Sequence, residues 1–104
     1  MAETPEKKVK NRIKKVLEEL GCYYVMPIGS GYGALTGCPD FLICLQGHFM
    51  GIEAKAGKNK PTALQLRHLE KIQAAGGLAL IVNEENVDDL KTLLLKQMEN
   101  EWIY

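Results

Sequence analysis

Pro39-Asp40-Phe41-Leu42-Ile43-Cys44-Leu45-Gln46-Gly47-His48-Phe49-Met50-Gly51-Ile52-Glu53-Ala54-Lys55 is the stretch on which the fold of this chain turns. Phe41 to Leu45 is a short apolar run closed by a turn signal, the pattern of a buried strand. If Gln46-Gly47 is a two-residue hairpin loop, Leu45 faces His48, Cys44 faces Phe49, Ile43 faces Met50 and Asp40 faces Glu53. A four-residue loop gives the same register. Directly opposed residues share one face of a sheet, with Cβ atoms roughly 4.5–5.5 Å apart. Two carboxylates so placed repel, and a divalent cation would offset the repulsion, because hard cations take oxygen ligands. Lys55 lies two residues beyond Glu53 and points to the same face. The bland alternative makes Asp40 a strand cap and Glu53 and Lys55 a solvated polar face. The order of the elements favours the site.

At 104 residues the chain is read as one domain, 1–104, able to bury a modest core without staples. Its formal net charge of zero gives no global basic field. The distribution is uneven: residues 55–71 carry Lys55, Lys58, Lys60, Arg67 and Lys71 against Glu70 alone, while residues 84–101 carry six acids against Lys91 and Lys96. One basic face for a polyanion is consistent with that asymmetry. Cys22, Cys38 and Cys44 lack metal-ligand spacing, and Cys22 and Cys44 are expected to pack as small hydrophobes. The polar, charged start shows no signal peptide or membrane span. The expected setting is intracellular and not secreted: the cytoplasm, of a host cell if the protein is viral.

Thr4-Pro5-Glu6 has the form of a helix start, and Val9, Ile13, Val16, Leu17 and Leu20 follow at helical spacing to a stop at Gly21. On the helical wheel Glu6 falls between Ile13 and Leu17, an acid at one end of the inward stripe. It is either a solvated first-turn residue or a third carboxylate reaching the site. Cys22 to Ile28 is expected to be the first strand. Gly29 to Cys38 is a glycine-rich loop, either a simple connection or a segment whose backbone approaches phosphate, with Gly31, Tyr32, Gly33 and Gly37 as candidate DNA contacts. Lys58 and Lys60 are phosphate-contact candidates or ordinary solvated charges. Thr62-x-x-Gln65 matches a capping box and opens a helix to about Ala75 with Leu66, Leu69 and Ile72 inside. Gln65 is thus either a cap or a polar group facing the site. His68 is read as solvated or bonded to backbone. Leu78 to Val82 is expected to be a central buried strand. Asn86 is expected to cap a last helix whose inner face is Val87, Leu90, Leu94 and Met98. Trp102, Ile103 and Tyr104 add apolar groups for the domain itself or for a second subunit.

The order α-β-β-β-α-β-α, with Pro39-Asp40, Glu53-Ala54-Lys55, Glu6 and Gln65, resembles the PD-(D/E)xK nuclease superfamily. The compact layout and the glycine loop before Pro39-Asp40 look most like the virus-type replication-repair nuclease domain, VRR-NUC, in its standalone form. The resemblance implies an α/β fold with a restriction-endonuclease-like core, a mixed sheet flanked by helices. It implies a divalent-metal-dependent endodeoxyribonuclease using Mg²⁺ or Mn²⁺, a DNA repair activity. Asp40, Glu53 and the Ala54 carbonyl would be metal ligands, Glu6 would reach the metal directly or through water, and Lys55 and Gln65 would complete the catalytic set. Standalone members resemble Holliday-junction resolvases, which implies branched DNA as partner and a homodimer. A flap nuclease and a non-catalytic nucleic-acid-binding module are the competing readings. A sequence-specific restriction enzyme is disfavoured by the lack of room for base-reading elements.

Overall fold

The structure, a computed structural model, describes residues 3–28 and 36–100, with backbone alone for 99 and 100. Helix α1 spans Pro5–Leu20, strand β1 Tyr23–Val25, β2 Phe41–Leu45, β3 His48–Ala54, helix α2 Ala63–Ala74, β4 Leu78–Val82 and α3 Leu90–Asn100, the last entered through a 3₁₀ turn at Val87–Asp89. The four strands pair in the order β1-β2-β3-β4, antiparallel except for the parallel β3–β4 pair. The expected order of elements and the mixed sheet are therefore present.

Local chemistry sets the boundaries. Thr4 accepts a hydrogen bond from the Lys7 N–H at 3.2 Å, Pro5 occupies the first helical position, and Gly21 ends α1 at φ +68°. Gln46 and Gly47 both take positive φ, 54° and 83°, as a tight two-residue hairpin turn requires. That turn fixes Phe41 opposite Ile52 and Leu45 opposite His48, the register read from the sequence. The face formed by Phe41, Ile43, Leu45, Met50, Ile52 and Ala54 packs against Val9, Ile13 and Leu17 of α1 and Leu90 and Leu94 of α3. Ile13, Leu17, Phe41 and Ile52 are wholly buried, and each such side chain stabilises the fold by about 1.5–3 kcal/mol. The opposite face receives α2. There a β-carbon on Gly51 would lie 2.6 Å from Ile72 Cδ1 and 3.1 Å from Pro39 Cγ, so any side chain would have to displace the tip of Ile72.

Several expectations are corrected. The first strand is three residues long rather than Cys22 to Ile28. Pro27 lacks an N–H, and β1 lies at the sheet's edge, so little favours extending it. Strand β4 is the other edge, not a central strand. Its apolar run reflects cover by helices on both faces, yet Ile81 remains exposed. Cys44 is exposed, because its side chain points to the face opposite the core beyond the reach of α2, whereas Cys22 packs at the core margin. Leu66 is exposed, leaving Leu69 as the buried anchor of α2.

Asn86 makes no helix-capping bond. Its amide donates instead to the Ile81 carbonyl at 3.1 Å, and its oxygen accepts the Asn83 N–H at 2.8 Å. Asn83 takes over the local turn, its Oδ1 accepting from the N–H groups of Glu85 and Asn86. Val87, Leu90, Leu94 and Met98 do form the inner face of the last helix. Trp102, Ile103 and Tyr104 lie outside the described residues, as do Gly31, Tyr32 and Gly33. Among the described residues no helix is long and apolar enough to cross a membrane.

Candidate active site

Strand pairing ends at Phe41–Ile52, one position short of Asp40, and the Asp40 side chain continues it. Its Oδ2 accepts the Ala54 N–H at 2.8 Å. This bond carries a carboxylate to the end of β3, next to Glu53. The following amide, Lys55 N–H, points the other way and donates to the Val82 carbonyl at 2.9 Å. In a trans peptide the C=O opposes the N–H, so the Ala54 carbonyl points away from β4, towards the Asp40 side. Asp40, Glu53 and the Ala54 carbonyl are thus gathered at one end of the β2–β3 pair.

Among the described residues Glu53 is the one buried charged side chain, 2% exposed. One of its oxygens, Oε2, lies 3.2 Å from Lys55 Nζ, while Oε1 is buried with no hydrogen-bond partner. A buried unpaired carboxylate oxygen is costly, because water no longer solvates it. Burial, then the nearby Asp40 charge, push the Glu53 carboxyl from an ordinary 4.5 up to about 7; Lys55 opposes this by hydrogen bond and charge, and Glu6 adds a little to it. Such displacement is typical of groups built to act rather than to stabilise.

The described residues contain no cluster of three or more His, Cys, Asp or Glu side chains shaped to hold a metal ion. What they offer is two carboxylates and a carbonyl, all hard oxygens, with one carboxylate oxygen lacking any partner. That donor set fits Mg²⁺ or Mn²⁺, since Mg²⁺ is usually bound by one or two carboxylates and keeps several waters.

Glu6 does not reach Asp40 directly. Lys10, one helical turn further along α1, lies between them, its Nζ 3.6 Å from Glu6 Oε2 and 3.4 Å from Asp40 Oδ1. The sequence reading missed Lys10; the i,i+4 spacing from Glu6 was the signal that pointed to it. Cys38 was also missed as a neighbour. Burial first, then the charges of Glu53 and Asp40, raise its thiol, which disfavours the reactive thiolate.

Gln65 serves the cap: its Oε1 accepts the Thr62 N–H at 2.9 Å and its own N–H donates to Thr62 Oγ1 at 3.2 Å. Its carboxamide oxygen is therefore committed to the start of α2. Gly37 is shaped by packing, with φ +82° and a position where a β-carbon would lie 2.7 Å from Leu64 Cγ. His68 makes the expected backbone contact, 3.0 Å to the Thr36 carbonyl, and ties the chain before Asp40 to α2. Lys58 and Lys60 are exposed on the turn after β3. An open cleft of about 380 Å³ runs between Thr4, Pro5 and Glu6 and the turn Ala56 to Asn59, with Lys58 in its wall. Asp40 and Glu53 do not line it; Glu6 is the link between cleft and acid pair.

The raised Glu53 carboxyl has a stability consequence. Between pH 4.5 and about 7 the folded chain keeps a proton that the unfolded chain has released. Stability therefore falls as pH rises through that window, and above it the metal-free fold carries the full cost of a buried anion. Glu53→Gln is expected to stabilise the chain by about 1–3 kcal/mol at pH 8 in EDTA and to change little near pH 4.5. Denaturant unfolding at both pH values checks this; no gain at pH 8 would contradict it.

Fold and acid pair together define a restriction-endonuclease-like α/β domain. The chain is similar to a solved structure described as a VRR_NUC domain, at 25% identity and a TM-score of 0.66, covering 98% of this chain and 100% of that one. The chain has the VRR-NUC fold, in line with the resemblance read from its sequence, and the match supports a nuclease-family function. No family profile matches the sequence, and neither does any curated protein.

Proposed function

We propose that the protein is a divalent-metal-dependent endodeoxyribonuclease that hydrolyses phosphodiester bonds in branched DNA. The observation that carries the reading is Glu53: a buried carboxylate with one unpartnered oxygen, beside Asp40 and 3.2 Å from the Lys55 ammonium. Asp40, Glu53 and the Ala54 carbonyl would hold Mg²⁺ or Mn²⁺, with Glu6 acting through water. When bound, the ion would lower the pKa of a coordinated water and neutralise charge on the phosphate. The chain's own residues do the rest. Glu53 keeps the Lys55 ammonium at the site, where it can orient the attacking water or neutralise charge developing on phosphorus. The bond from Ala54 fixes the Asp40 carboxyl against the strand end. Lys58 in the cleft wall offers a cation to the DNA backbone, and Lys60 a second one nearby.

A four-way junction needs two symmetric nicks, and the described residues of one chain offer one such acid pair. A homodimer with two sites is the simplest way to match that symmetry. Incubation with labelled four-way junction, flap, duplex and single-stranded DNA, with Mg²⁺, Mn²⁺ or EDTA, tests the reading. Paired, metal-dependent cuts in the junction are expected. Cleavage of flaps alone by a monomer would replace the resolvase reading with a flap nuclease. Binding without cleavage under any metal would favour the non-catalytic module.

A further inference from the structure

Each Asp40 oxygen has a partner within the chain. Oδ2 accepts the Ala54 N–H at 2.8 Å and Oδ1 lies 3.4 Å from Lys10 Nζ. The same ammonium lies 3.6 Å from Glu6 Oε2. Two of the three carboxylates assigned to the site thus share one internal cation. Glu53 does not share it, and keeps an unpartnered oxygen instead.

We infer that Lys10 is a displaceable counter-ion, occupying the Asp40–Glu6 side of the site and competing there with a divalent cation. This rests on the metal-dependent reading above. Oδ1 keeps a second lone pair, but the ammonium's charge opposes a cation placed beside it, so ligation there is favoured when Lys10 swings away. The side chain can do this without moving its helix. Lys10 is 29% exposed and carries a flexible four-carbon stem, so its ammonium has a route to solvent. Neither contact is shorter than 3.4 Å, so the pair is loose enough to exchange. A Lys10 that merely braced Asp40 would leave cation affinity unchanged or, through lost positioning, weakened. A competing Lys10 does the opposite: its removal frees an oxygen and leaves the acids more negative. Lys10 is therefore assigned a positioning role in the metal-free chain and an inhibitory one toward the ion.

The test is Mn²⁺ titration calorimetry on the full chain and on Lys10→Met, which keeps the apolar stem without the charge. Lys10→Met is expected to bind Mn²⁺ about five-fold more tightly at low salt, the scale set by one partly exposed ion pair. Lys10→Gln serves if the methionine variant does not fold, as judged by circular dichroism and urea unfolding. Affinity equal to or weaker than that of the parent, in a folded variant, would overturn the competing role. No Mn²⁺ binding by either folded chain would instead overturn the metal reading, and this inference with it. Asp40→Asn separates the two: lost binding there, with no gain in Lys10→Met, leaves the metal site standing and Lys10 a simple brace.

Discussion

Asp40→Asn is expected to abolish measurable Mn²⁺ binding and to lower cleavage of a four-way junction by at least about a hundred-fold, with the fold retained. The size follows from what the carboxylate contributes. Removing one preorganised charge-stabilising group from an active site typically costs on the order of 10²–10³ in rate, and this group would also be an ion ligand. The fold survives because its structural task is a single hydrogen bond. Asparagine can turn its amide oxygen to the Ala54 N–H and keep that bond. Its NH₂ would then face Lys10, which lies 3.4 Å from Oδ1 in the parent. Stability should therefore fall by no more than about 1–2 kcal/mol. Single-turnover cleavage and calorimetry on the same preparation check both halves. Parental Mn²⁺ affinity in a folded Asp40→Asn chain would remove Asp40 from the metal site.

The second large effect is expected at Lys55. Lys55→Ala should lower cleavage by about a hundred-fold or more at saturating cation, since in the proposed reaction the ammonium would act on the reacting phosphate or its water rather than on the ion. Its effect on cation binding is indirect and depends on pH. Lys55 holds the Glu53 carboxyl down by hydrogen bond and charge, against burial. Without it Glu53 would titrate above about 7, and the protonated acid is no ligand. Mn²⁺ affinity of Lys55→Ala should therefore be weak at pH 6.5 and approach that of the parent at pH 8.5. Cleavage should stay low at both pH values. Recovery of cleavage together with affinity at high pH would mean that lysine acts only through Glu53.

The hairpin and its acids were legible because the information is local. Two turn residues fix the register, and register alone decides which side chains oppose one another. The capping residues of α1 and α2 were legible for the same reason. The position of β4 was not. A continuous apolar run records cover on both faces, and helices cover an edge strand as readily as a central one. Cys44 and Leu66 lie on faces whose exposure depends on how far α2 extends across the sheet, which no pattern within their own elements records. Lys10 was overlooked for a different reason. A helical wheel shows where Glu6 points, whereas the cation one turn away is recorded only in the i,i+4 spacing. Gln65 had two roles open in the sequence, and the structure gives its oxygen to the cap.

Asn86 also bears on how copies of this chain can meet. The edge of β4 is the long open side of the sheet, five residues against three in β1. Unpaired carbonyls on such an edge are templates for another strand, and proteins commonly block them. Here the Asn86 amide occupies the Ile81 carbonyl at 3.1 Å. A second chain adding its backbone there would have to expel that amide and break the turn it stabilises with Asn83. Fusing two sheets into one continuous eight-stranded surface through this edge is therefore disfavoured, and with it the runaway stacking that a bare edge invites. Two subunits brought together on a branched substrate would have to meet through side chains rather than through a shared backbone ladder on this side.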